Sequence, residues 1–309
     1  IFSADIKDAD WSRYALYAPR IREVTFTDCV GAGEPWISPK CIQSMSHHLP
    51  PQLRWPRPVF IHLNTINSSA AILGVIPLIS LSLRKLTWVK SEYPFFNPSP
   101  ESIHYVQSVI GALAECERPC LEEIELNCNS DGATFVDTLK PCLNKHGSRI
   151  TSFKVYIPFD ARVWVSIFDL PALQTLHIAH YKLDELGTLD EIIPMIQKLA
   201  ERQPQLKRLN LYSNLPFRED SESHSNSAYS QLIRDLMGLR NLETLELRVT
   251  LPLSLTDSEV QQMGESWPNM RVLELLDKST WRTLDVNRGL KSIYHCYPAS
   301  FADSRASRS

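Results

Sequence analysis

The sequence predicts an α/β solenoid, with parallel strands on a concave face and helices on a convex one. Three observations predict it. The string L-x-x-L-x-L recurs as LRKLTW at 83–88, LEEIEL at 121–126, LQTLHI at 173–178, LKRLNL at 206–211 and LETLEL at 242–247. Variants stand at 21–26 (IREVTF), 150–155 (ITSFKV) and 270–275 (MRVLEL). Segments of helical periodicity alternate with these strings, the rhythm of strand and crossover helix. Each string can be one strand burying its first, fourth and sixth residues, and stacking then buries what one repeat cannot bury alone. The fold class is an irregular leucine-rich-repeat solenoid, a right-handed α/β horseshoe.

The elements follow in order. Residues 1–20 are predicted as an N-terminal helix packing on the first repeat. Within it, Trp11, Tyr14, Ala15 and Ala18 share one helical face, and Pro19 closes it. The solenoid spans 21–276. Near 50–66 the pattern fades, and PQLRWPRPVFIHL is read as a degenerate strand near Leu53. AAILGVIPLI at 70–79 reads as a buried connector helix, being far short of the roughly 20 residues a membrane span needs.

Later helices are read at 103–117 (Ile103, Val106, Ile110, Leu113 on one stripe), 133–146 (Phe135, Leu139, Leu143) and 189–203 (Ile192, Ile196, Leu199). A last one at 256–268 opens with Thr256 and Glu259, a capping box. Strand starts are 29 apart from Leu121 to Ile150, 23 from Ile150 to Leu173 and 36 from Leu206 to Leu242, so several repeats carry insertions. The polar run REDSESHSNS at 218–227 is expected to be a mobile loop, set within 214–228. Asn129 and Asn214 each stand eight residues after the first leucine of their copy, where an amide can close the strand turn. Residues 277–309 are read as an incomplete last repeat and polar tail, poorly ordered.

Composition narrows the function. Net charge is −3, from 32 basic and 35 acidic residues. That balance argues against nucleic acid or an anionic membrane as main partner, since both call for a basic face. Seven scattered cysteines and no signal peptide point to a reduced compartment, cytoplasmic or nuclear. Cys116 and Cys120 read as half-buried thiols at a helix end, not as half of a zinc site.

If positions four and six of each strand turn inward, positions three, five and seven line the concave face. The residues expected to bind a partner there are Lys85, Glu123, Glu125, Lys154, Tyr156, His177, Arg208, Tyr212, Glu246 and Arg248. Tyr156, Tyr212, Lys154, Arg208 and Arg248 are the hot-spot candidates, because aromatic and Arg side chains dominate interface energetics. Mixed charge suits a substrate protein or peptide; a plain solvated sheet face would look much the same.

No catalytic constellation emerges. His47 and His48 are adjacent, and neighbours on a helix face different ways. His177 follows Thr175 on one strand face, with no orienting acid or oxyanion hole nearby. Glu122, Glu123 and Glu125 read as a solvated face, with Glu122 turned away from the other two. Phosphate-binding and hydrolase motifs are absent from the sequence. The expectation is no enzyme, no cofactor and no metal.

Three segments resemble one family. LTDSEVQQMGESWPNMRVLELL at 255–276 resembles a recurrent stretch of basidiomycete fungal F-box proteins with leucine-rich repeats, a helix ending in Trp-Pro before the next strand. DADWSRYALYAPRIREVTF at 8–26 looks like that family's opening, and VNRGLKSIYHCYP at 286–298 like its following helix. The resemblance implies the substrate-recognition repeats of an adaptor in a Skp–cullin–RING ubiquitin ligase. It implies Skp as a partner only through an F-box, and no F-box is read before residue 21. A leucine-rich scaffold or regulator unrelated to ubiquitin is the alternative.

Overall fold

A computed structural model describes residues 15–27, 58–64, 75–79, 82–89, 100–116, 120–127, 132–156, 161–180, 189–213, 230–249 and 255–277. Nine strands form one sheet: β1 (Glu23–Thr27), β2 (Phe60–Asn64), β3 (Lys85–Val89), β4 (Glu123–Asn127), β5 (Ser152–Tyr156), β6 (Thr175–His180), β7 (Arg208–Ser213), β8 (Thr244–Val249) and β9 (Val272–Asp277). They lie side by side in chain order, and every neighbouring pair is parallel. Helices are α1 (Pro100–Glu115), α2 (Gly132–His146), α3 (Ala161–Phe168), α4 (Leu189–Arg202) and α5 (Asp257–Ser266), with residues 230–236 also helical. The α/β layering and the sequential strand order match the expectation.

The strings bury the positions that the pattern requires. Leu83, Leu86 and Trp88 are buried, as are Leu121, Ile124 and Leu126, then Ile150, Phe153 and Val155, then Leu173, Leu176 and Ile178. Leu206, Leu209 and Leu211 follow, then Leu242, Leu245 and Leu247. Helical side chains close over them: Val109, Ile110 and Leu113 from α1, Leu139 and Leu143 from α2, Ile192, Ile196 and Leu199 from α4. All belong to one continuous core.

Register is locked at every junction by the same device. The carbonyl of position two accepts two N–H groups from the next repeat. Arg22 O takes Val59 N and Phe60 N, Arg84 O takes Glu122 N and Glu123 N, and Gln174 O takes Lys207 N and Arg208 N. The series runs unbroken to Glu243 O, which takes Arg271 N at 2.8 Å and Val272 N at 3.1 Å.

Helix ends are closed by side chains from the following repeat. A helix leaves its last carbonyls without intrahelical partners, and burying them unpaired is costly. His146 Nε2 lies 3.0 Å from Leu113 O at the end of α1, and Lys145 Nζ donates to Ala114 O at 2.8 Å and Glu115 O at 3.2 Å. A carbonyl only accepts, so the buried His146 ring carries its proton on Nε2. Burial pushes its pKa down, with the Leu113 carbonyl opposing and Lys145 assisting, which favours the neutral ring. At α3 the buried Gln203 amide donates to Ile167 O at 3.3 Å and Phe168 O at 2.9 Å. At 230–236 the buried Trp267 indole donates to Leu236 O at 3.3 Å. Imidazole, amide and indole thus do one job.

Some expectations need correction. Within the 50–66 stretch read as holding a degenerate strand, a strand lies at Phe60–Asn64; Leu53 falls outside the described residues. Its inward positions are Pro58, Ile61 and Leu63, all buried, so a proline hides the copy by replacing its first leucine. Of the connector at 70–79 only 75–79 are described: Val75 is helical and passes into a one-turn 3-10 helix at Ile76–Leu78, and Val75 and Leu78 are buried there. At the N-terminal side, residues 15–17 are helical and pass into a 3-10 turn at Ala18–Arg20 that includes Pro19. Ala18 is buried but Ala15 is exposed, so the two do not share a packed face. Trp11, Tyr14, His47, His48, Asn129, Asn214, the 214–228 loop and residues 278–309 lie outside what is described, as do the side chains of Ile103, Val106 and Phe135.

The capping box is present: Glu259 N donates to Thr256 Oγ1 at 3.3 Å and Thr256 N to Glu259 Oε2 at 2.9 Å. The bond from the Thr256 backbone holds the Glu259 carboxyl below its usual pKa. Cys116 and Cys120 are both half-buried.

Candidate functional site: the far face of the sheet

Side chains alternate across a strand, so the residues between the core positions turn away from the helices. Parallel in-register pairing then lines them up in rows. The middle row reads His62, Thr87, Glu125, Lys154, His177, Asn210, Glu246 and Glu274. Flanking it on one side run Lys85, Glu123, Ser152, Thr175, Arg208, Thr244 and Val272. On the other side run Asn127, Tyr156, Ala179, Tyr212, Arg248 and Leu276. All ten residues singled out from the sequence therefore fall on one face.

At its centre four groups stack in sequence. The His177 ring sits 4.8 Å from Tyr156, tilted, and 4.8 Å from Tyr212, edge-on. The Arg248 guanidinium lies 4.4 Å from the Tyr212 ring centre, within cation–π range. The Tyr212 hydroxyl donates to the Glu246 carboxylate in a short hydrogen bond. Burial first, and then that bond to Glu246, push the Tyr212 hydroxyl well above the usual tyrosine range. The phenol stays protonated and keeps donating.

His177 is only 7 % exposed, and its Nε2 is buried without a hydrogen-bond partner. Burial, then the nearby charges of Lys154 and Arg248, depress its pKa to about 4, so it is neutral at physiological pH. Thr87 in the same row is likewise buried, with Oγ1 unpartnered, and Ala179 is fully buried. A plain solvated sheet face would not contain these three. Sequence reasoning put them in the right rows but could not foresee their burial, which depends on neighbours brought in from other repeats.

Charges on the face are mostly paired across strands. Lys85 Nζ is 3.0 Å from Glu123, Lys154 Nζ is 3.6 Å from Glu125, and His62 Nε2 is 3.3 Å from Glu23. Glu122 instead lies 3.6 Å from Arg84, away from Glu123 and Glu125 as expected. Arg208 and Arg248 are exposed, and neither forms an ion pair among the described residues.

Elsewhere, a cavity of about 550 Å³ is lined by Met237, Gly238, Arg240, Glu265, Ser266 and Pro268, none of them on this face. Among the described residues no cluster of His, Cys, Asp or Glu could hold a metal ion, and no helix is long and apolar enough to cross a membrane. The chain matches no protein-family model and no curated protein, so the functional reading starts from the geometry of this face.

Proposed function

We propose that the chain is a protein–protein interaction module, a leucine-rich-repeat solenoid that takes a substrate protein or peptide on the concave side of its sheet. The observation that carries this reading is the Tyr156–His177–Tyr212–Arg248 stack on the face turned away from the helices. Aromatic and Arg groups held rigid in a half-buried setting have the make-up of an interface hot spot. The more specific proposal is the substrate-recognition part of an F-box adaptor of an SCF-type ubiquitin ligase. Its support is the resemblance of residues 8–26, 255–276 and 286–298 to the fungal family. In that role Skp would be engaged through an F-box outside these residues. A scaffold unrelated to ubiquitin would use the same face without Skp.

Affinity purification of the product of the full transcript tests both levels. Loss of the captured partner on Tyr212→Ala, with folding retained, is the outcome expected for face binding. Skp and cullin subunits in the eluate support the adaptor. A partner held equally well by wild type and Tyr212→Ala would overturn the assignment to this face, and a signalling or trafficking complex without cullin would favour the scaffold.

A further inference from the structure

We propose that Arg208 and Arg248, the latter set against the Tyr156–His177–Tyr212 stack, form a subsite for an acidic, extended segment of the partner, with one carboxylate on each guanidinium. The inference rests on the protein-binding reading above and names the chemistry of what binds.

Charge complementarity is the first argument. Two acids of the face are ion-paired with lysines, Glu123 with Lys85 and Glu125 with Lys154, while Glu23 lies beside His62 and Glu246 accepts from the neutral Tyr212 hydroxyl. Glu274, on β9, forms no ion pair among the described residues. Among the described residues the exposed guanidiniums of Arg208 and Arg248 also form no ion pair; Arg248 ends the aromatic stack, and Arg208 stands in the opposite flanking row on β7. The Arg248 guanidinium carbon lies over the Tyr212 ring. Its N–H groups can match a carboxylate bidentately.

Spacing is the second. Arg208 and Tyr212 are four residues apart on β7, about 13 Å along a strand. Arg248 pairs with Tyr212 one strand over. An extended peptide places residues about four apart at that same separation, so one strand-like segment can reach both cations. Between them lies the middle row, Asn210 on β7 and Glu246 on β8, with the Tyr212 ring beside Arg248.

The third argument is independent of charge. His177 Nε2 is a buried polar atom with no partner among the described residues, situated within the stack. Buried polar groups are nearly always hydrogen-bonded, so an unsatisfied one marks a place where an incoming polar group gains a bond.

Selection from a random peptide library displayed against the wild-type chain tests this, with Tyr212→Ala as the counter-selection. The expected winners carry two Asp or Glu residues about four apart. Their consensus peptide, followed by fluorescence anisotropy, should lose about tenfold or more in affinity to Arg208→Glu and to Arg248→Glu. A peptide with Lys in place of both acids should bind the double charge reversal better than wild type. Circular dichroism confirms that the variants fold. Neutral or basic winners that depend on Tyr212 would overturn the acidic preference while leaving the protein-binding reading intact. If no peptide of any charge depends on Tyr212, both fail.

Discussion

His177 is held neutral between two tyrosines, and this has a cost that depends on pH. The unfolded imidazole takes up its proton near the ordinary histidine value of 6.5, and the folded one only at about 4. Between those values the unfolded state binds more protons, so stability falls as pH drops from about 6.5 towards 4 and levels off below. The loss from this residue is on the order of 2–3 kcal/mol. His146, also shifted down, titrates in the same direction and adds to it. His177→Phe keeps a ring in the stack and removes this part of the dependence. Urea denaturation at neutral and mildly acidic pH should show a smaller difference for the variant than for wild type; an unchanged difference would assign the effect to other groups.

Among the elements, the helix-end closures are the least expected. Trp267→Phe keeps most of the ring but strips the Leu236 carbonyl of its donor. A loss of about 1–3 kcal/mol in chemical denaturation is expected, the cost of a buried polar group left unsatisfied. The same closure gives the Trp-Pro ending of 255–276 a physical reason that the sequence alone could not supply, because the acceptor lies in the preceding repeat. Other elements vary in legibility for local reasons. The capping box at Thr256 and Glu259 is readable because both partners are three residues apart. The strand at Phe60–Asn64 is obscured by Pro58 in the first inward position. No helix is read over 161–168 or 230–236: ARVWVSIF spans barely two turns, short for a periodicity reading, though Trp164 and Ile167 are buried and Arg162 and Val165 exposed. The ten candidate site residues were legible because strand alternation alone fixes which way they turn. Their mutual contacts were not, because Tyr156, His177, Tyr212 and Arg248 come from four different repeats.

For the molecule as a whole, the sequential sheet means that, among the described residues, each strand hydrogen-bonds to its neighbours in chain order. Stability in such an array is close to a sum of repeat and nearest-neighbour terms. Phe153, fully buried on β5, tests this. Phe153→Ala should cost about 3–5 kcal/mol. Amide-exchange protection should fall most in β4, β5 and β6 and least in β9. A uniform loss across all nine strands would instead indicate one cooperative unit.

The paired N–H groups on each position-two carbonyl have one more consequence. They make the far face a ruler graduated in strands, one division of about 4.8 Å each. Separation across it is set by how many repeats lie between two side chains, whatever number of residues the connectors hold. Connectors can therefore lengthen or shorten between repeats while the distance from Tyr156 to Tyr212 stays fixed. Only the three outward positions of each strand decide what the face recognises, and each can be rewritten without disturbing the scale.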